Sequence, residues 1–392
     1  MKKIYKQKNI INLMSSIQAS FDIVSSYNEL TSLKSNKLKE SGDVILLVID
    51  GLGYEYLRSK SGSLFFSKNL KEKISTVFLA TTASGLSTYC CGLLPSEHMI
   101  TGWKMYLREI GMVTELLSFK TRSGKIPLDS FGFSISDFYK AKSIFAKNKN
   151  PSFAIYPEKM ANSSFSKASL FGANILPYKE LSDMFSQIEK SLKSTSKRKY
   201  IFAYWQEFDA ICHKYGTNSK ETKKHFLKIE NEVKKFIEQN TQKNFTMIIT
   251  ADHGLIDYKK ENIINLQEHP TLERTLRLPL CGEARTAFCY VKPDMKTTFE
   301  KYAKEKLGKY CTIKKSSEAV KEGWFGPTTR EGNEQIWDRV GDYLMIMKGN
   351  YIVQDKLLYE PQLAHNFKAA HGGISKEEMY VPLIIIKRGI NL

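Results

Sequence analysis

The chain has 392 residues, 42% of them hydrophobic and 26% charged, with a formal net charge of +18. That length supports a large core, as one large domain or two to three ordinary ones, and no apolar run approaches the ~20 residues of a membrane span. The lysines are spread along the chain and form no arm with interleaved aromatics, which argues against a dedicated nucleic-acid module and leaves either a solvated basic surface or a field that steers a small anionic substrate.

The N-terminus, MKKIYKQKNIINLMSSIQASFDIV, begins basic, but polar residues interrupt its apolar positions. It lacks the unbroken apolar core and the cleavage site of a secretory signal. Residues 1–40 are expected as an N-terminal helical extension, helical and then polar, packed on the outside. The six cysteines (Cys90, Cys91, Cys212, Cys281, Cys289, Cys311) form no CxxC pair and sit mostly among apolar residues. That pattern suits reduced, buried thiols and a cytoplasmic protein.

Short apolar runs then alternate with amphipathic stretches. Candidate strands are VILLVID (44–50), SFAIY (152–156), YIFAYW (200–205), FTMIITAD (245–252), TAFCYV (286–291), YLMIM (343–347) and VPLIII (381–386). Candidate helices are residues 180–194 and 219–240; in the second, Phe226, Ile229, Val233 and Phe236 recur at helical spacing. Continuous β-branched runs between helices predict an α/β fold, a three-layer α/β/α sandwich around a mostly parallel sheet. Residues 280–340 break the rhythm with a strand, a helix, a short strand CTIKK and the glycine-rich EGWFGPTTREGNE. They are expected as a small inserted cap subdomain, with 41–279 and 341–392 forming the main domain.

Four strand ends carry acids or histidines. Asp50 follows VILLVI, Asp209 and His213 follow YIFAYW, Asp252 and His253 follow MIIT, and His371 precedes the last strand. Ligands of open α/β sheets bind beyond the carboxyl ends of the strands, so these groups are expected to converge. Asp209 and His213, at i and i+4, share one helix face. Three carboxylates and three imidazoles suffice for two divalent metals, and carboxylate oxygen with imidazole nitrogen suits zinc. Singly, each has a plain alternative: an aspartate after a strand caps a helix, and a histidine beside glycine sits in a loop. Thr81 and Thr82 precede the small-residue stretch ASGLSTYCCGLL. A hydroxyl there would lie at the positive end of a helix and could serve as nucleophile, or could simply cap it.

In order, VIDG, ATTASGLSTYCCGLLPSEHMITGW, FDxxxHxxG, TADHG and AHGG resemble the alkaline phosphatase superfamily, and more closely its type I phosphodiesterase/nucleotide pyrophosphatase family. GEARTAF, GWFGP, DRVGDYLMI and EEMYVPLIII are similar to bacterial members. The resemblance implies that Asp50, Thr82, Asp252 and His253 bind one zinc and Asp209, His213 and His371 the other. Manganese or iron would accept the same ligands. It also implies Thr82 as nucleophile, ten residues before Gly92, and a threonyl-phosphate intermediate. One departure concerns an asparagine of the animal enzymes that helps hold a phosphate oxygen; Gly102 or Trp103 falls at its position.

Trp103, Tyr106 and Arg285 are candidate substrate-binding residues, with Arg285 facing the phosphate. His98 reads as structural, Cys90, Cys91 and Cys212 as packing, and His225 and His269 as surface residues. Glu207 either supports the site or faces solvent, and His365 is close enough in sequence to His371 to reach it. The resulting expectation is a metal-dependent hydrolase acting on a small, nucleotide-like phosphodiester. A phosphomonoesterase, sulfatase or phosphonate hydrolase on the same scaffold is the alternative, and a non-catalytic basic binding protein a third.

Overall fold

The computed structural model describes residues 8–59, 64–328, 335–356 and 367–389. They form two seven-stranded sheets. The main sheet runs Leu70–Ser75, Tyr380–Arg388, Phe245–Thr250, Asp43–Ile49, Tyr200–Trp205, Ser152–Pro157 and Asn174–Tyr178. From Phe245–Thr250 onward all neighbours pair in parallel; Tyr380–Arg388 is antiparallel to both of its neighbours.

Alternation along the strand Tyr200–Trp205 shows why its apolar run is continuous. Tyr200 and Phe202 pack on Phe145 from one face, while Trp205 stacks on His225 from the other. Both faces are covered, so both sets of side chains are apolar. The helices Ile10–Ser20 and Thr82–Cys91 pack together on one side, and Leu181–Lys193 with Lys220–Gln239 on the other. This is the expected α/β/α sandwich. In Lys220–Gln239 the Ser219 side chain caps the start by accepting from the Thr222 amide, and Phe226, Ile229, Val233 and Phe236 are buried. No helix among the described residues is long and apolar enough to cross a membrane.

The N-terminal segment does not pack on the outside. Asn9 caps the helix Ile10–Ser20 through hydrogen bonds from the Ile11 and Asn12 amides, and Ile10, Leu13, Met14 and Ile17 lie in the main core. Its partner, the Thr82–Cys91 helix, is built of small residues and leaves room for these larger side chains.

The second sheet runs Cys311–Lys315, Tyr343–Met347, Thr286–Cys289, Cys281–Gly282, Lys104–Leu107, Met112–Glu115 and Lys120–Thr121, antiparallel throughout. It takes strands from 280–340 but also from residues 104–121 and 343–347. YLMIM therefore belongs here and not in the parallel sheet. Leu344 and Ile346 pack into one apolar cluster while Tyr343, Met345 and Met347 pack into another. A strand covered on both faces reads the same in either kind of sheet.

Candidate functional site

Register aligns the site. Ile49 pairs with Trp205 and Val48 with Thr250, so the chain leaves three adjacent strands at one edge. Asp50 begins the turn after the first strand, Asp209 and His213 lie on the helix Glu207–Tyr215, and Asp252 and His253 follow Thr250. The Thr82–Cys91 helix comes against them because residue 85 is glycine: an added Cβ would fall 2.7 Å from Asp252 Cβ.

Thr82 Oγ1 lies 3.1 Å from His253 Nε2 and 3.5 Å from Asp50 Oδ2. His253 Nε2 is 3.2 Å from Asp50 Oδ1 and 3.8 Å from Asp252 Oδ2. His213 Nε2 is 3.2 Å from Asp209 Oδ2. The rings of His253 and His371 stack at 3.9 Å, and that of His213 lies 5.3 Å from His371. Asp50, Asp252 and His253 form one group whose ligand atoms lie within 4.8 Å of one another, and Asp209, His253 and His371 form a second. The six residues named from sequence thus come together with Thr82, although His253 borders both groups and His213 joins through Asp209.

Each imidazole presents Nδ1 to a backbone carbonyl: His213 to Ala369 at 2.7 Å, His253 to Gly254 at 3.2 Å and His371 to Ala80 at 3.2 Å. A carbonyl only accepts, so each Nδ1 carries a proton there and each ring turns Nε2 toward the site. The carboxylates are less well served. Asp252 accepts from the Gly51 and His253 amides through Oδ1, yet its Oδ2 is buried and accepts no hydrogen bond. Asp209 Oδ1 is in the same condition, and Asp50 Oδ1 meets only His253 Nε2, at 3.2 Å. Burial pushes Asp50 and Asp252 above the usual carboxylate range, and neighbouring carboxylates add to it. Burial opposes a charge on Asp209 too, but His213 beside it, with His371 and His253, holds its carboxyl well below that range. Burial disfavours charge on His253, yet Asp252 and Asp50 raise it to about 10. A buried carboxylate oxygen left without a donor is costly, so Asp50, Asp209 and Asp252 beside the imidazoles fit a site for divalent cations.

A cavity of about 750 Å³ opens from this cluster, with Asp50, Thr82, Asp209, His213 and His371 in its wall. Trp103 lines it as expected, beside Lys104. Tyr106 does not: it packs edge-on against Tyr290 at 5.2 Å. Arg285 does not face the cavity either. It is buried, donates to both carboxylate oxygens of Glu378 at 3.1–3.2 Å and also donates to Tyr351 O. A guanidinium satisfied in this way holds two chain segments together.

Tyr204, not singled out from sequence, donates its hydroxyl to Asp50 Oδ2. Strand alternation could have found it, since it stands at the carboxyl end of its strand. Glu207 is exposed and lines the cavity. His98 is fully buried, with Nε2 at the Thr88 hydroxyl and Nδ1 accepting from the Ile100 amide, so it is structural. Cys90, Cys91 and Cys212 are buried. His225 is not a surface residue: it is buried, and its Nε2 accepts from the Trp205 indole at 3.0 Å. His269 is part-buried beside the Tyr302 hydroxyl. His365 lies outside the described residues.

Residues 44–374 match the family described as type I phosphodiesterase/nucleotide pyrophosphatase. The chain is 26% identical over 249 residues to the bis(5'-adenosyl)-triphosphatase ENPP4 of Bos taurus, covering 60% of this chain and 53% of that protein. It is 24% identical over 261 residues to the human ENPP4, with the same coverage. It therefore spans about half the length of the curated relatives it matches. Among solved structures, murine ectonucleotide pyrophosphatase/phosphodiesterase 5 matches with a TM-score of 0.63 at 17% identity, over 87% of each chain. An inactive variant of that protein was solved in complex with AMP. Phosphonoacetate hydrolase from Sinorhizobium meliloti matches with a TM-score of 0.64 at 15% identity, over 90% of this chain and 91% of that one. At these identities the structural matches show a shared fold.

Proposed function

The chain belongs to the type I phosphodiesterase/nucleotide pyrophosphatase family, a family of phosphoric ester hydrolases, and we propose that it hydrolyses small phosphodiesters, nucleotides foremost, with Thr82 as nucleophile. The observation that carries this reading is the place of Thr82 Oγ1, 3.1 Å from His253 Nε2 and 3.5 Å from Asp50 Oδ2, in the wall of the cavity that Asp209, His213 and His371 also line. Asp50, Thr82, Asp252 and His253 would hold one divalent ion, and Asp209, His213 and His371 a second. Zinc suits the donors best, and manganese or iron would accept them. Such ions lower the proton affinity of a hydroxyl and offset charge on phosphoryl oxygens.

The chain's own groups do the rest. Thr82 Oγ1 loses its proton to water in the cavity and forms the bond to phosphorus, while the bond from phosphorus to the leaving oxygen breaks in line and that oxygen takes a proton from water. Water then cleaves the threonyl phosphate. Thr82 is the first residue of a ten-residue helix, whose free amides and positive end face the phosphoryl oxygens. We read the second sheet, with its strands Cys281–Gly282, Thr286–Cys289 and Cys311–Lys315, as the cap that brings Trp103 and Lys104 to the leaving group. The AMP complex of a structural neighbour and the activity named for ENPP4 support a nucleotide there. Six free, buried cysteines support a reducing, cytoplasmic setting.

Hydrolysis of bis-p-nitrophenyl phosphate against p-nitrophenyl phosphate, with and without chelator, tests the reading. The diester should be the better substrate and chelator should stop its turnover. Thr82→Ala should lose on the order of 10³-fold or more in kcat while keeping its metal. A preference for the monoester, or full activity in Thr82→Ala, would overturn it.

A further inference from the structure

The hairpin formed by Cys281–Gly282 and Thr286–Cys289 turns at Glu283, whose amide donates to Thr286 O at 2.9 Å. Its two charged residues diverge there. Arg285 goes to Glu378, and Glu283 enters the cavity that Thr82, Asp50 and His371 line. Glu283 accepts a hydrogen bond from Thr81 Oγ1. Thr81 is the N-cap residue of the helix that starts at Thr82, yet its hydroxyl makes no capping hydrogen bond. A side chain that ordinarily steadies the first turn from within is here engaged from across the cavity.

The same glutamate rests on Gly372, the residue after His371. With φ at +101°, an added Cβ on Gly372 would fall 2.3 Å from Glu283 Cβ. One side chain therefore touches the residue before Thr82 and the residue after His371. Burial raises Glu283 to about 7, against the Thr81 hydrogen bond and the charge of Lys104. The link does not depend on its protonation, because a neutral carboxyl still accepts through its carbonyl oxygen.

We propose that Glu283 is a positioning residue: by holding Thr81 Oγ1 it fixes the first turn of the helix, and so the direction in which Thr82 Oγ1 points between Asp50 and His253. Its consequence for rate rests on Thr82 being the nucleophile. An error of about 1 Å in such a group costs on the order of 10²-fold in rate.

The test is a double-mutant cycle on bis-p-nitrophenyl phosphate with hydrogen–deuterium exchange beside it. Glu283→Ala and Thr81→Val should each lower kcat by on the order of 10- to 100-fold, with KM and metal content unchanged. The double variant should lose no more than either single, because both cut one link. Glu283→Gln, whose amide oxygen still accepts, should restore most of the rate. Additive losses, wild-type kcat in Glu283→Ala, or a Glu283→Gln as slow as Glu283→Ala overturns the proposal. Exchange reads the link without turnover: in Glu283→Ala the amides of residues 82–86 should exchange faster, with those of 43–49 unchanged. Unaltered exchange at 82–86 also overturns it. Diester hydrolysis that persists without Thr82 defeats the nucleophile reading instead, and exchange then still decides the role of Glu283.

Discussion

A threonine at a helix start is ordinarily a cap, and Thr81 and Thr82 each leave that role differently. Thr81 donates to Glu283, and Thr82 faces His253 and Asp50. Neighbouring residues with the same side chain are separated here by direction alone. The carboxylates show the same dependence on surroundings. Asp209 Oδ2 is 3.2 Å from His213 Nε2, while its Oδ1 is buried without a hydrogen bond. Asp209→Asn keeps the shape and removes the charge. Metal content by elemental analysis should fall, and affinity should drop at least as far as the roughly 10–100-fold seen when a supporting residue is lost. Unchanged metal content would remove Asp209 from the ligand set.

At the level of elements, long helices and central strands were the readable parts. Lys220–Gln239 and Leu181–Lys193 lie within a residue of their expected ends, because one buried stripe fixes each. The edge strands Leu70–Ser75 (LKEKIS) and Asn174–Tyr178 (NILPY) were not foreseen. The first is exposed at alternate positions and carries charge there, which protects an edge and dilutes the apolar signal. His225 belongs to this scale too. On a lysine-rich helix it looks exposed, yet it is buried against Trp205 and accepts from its indole. Burial first, and Lys228 second, lower its pKa to about 4 from 6.5. A histidine depressed in this way stays neutral in the fold but takes a proton when unfolded. Its contribution to stability is therefore lost as pH falls from about 6.5 toward 4. Thermal melting between pH 7 and pH 4 should decline less steeply in His225→Gln, which keeps an acceptor; parallel curves would refute the assignment.

Over the whole molecule, the site joins residues from position 50 to position 371, so metal and fold are linked. Ions that bind only the folded state stabilise it by about 4 kcal/mol at 1,000 times Kd. Chelation should lower the melting temperature, and added zinc should recover it; a melting curve indifferent to both would show that the carboxylate cluster holds no ion. By itself the sequence determined the α/β/α architecture, the four strand ends and the seven residues that meet at them, since periodicity, strand polarity and a run of motifs are local properties. It could not say which sheet YLMIM joins, that residues 10–20 enter the core, or that Arg285 turns from the cavity while Glu283 enters it. Those outcomes depend on what lies opposite each side chain. Partners such as Glu378 and Thr81 are distant in the chain, and only the packed structure brings them into contact.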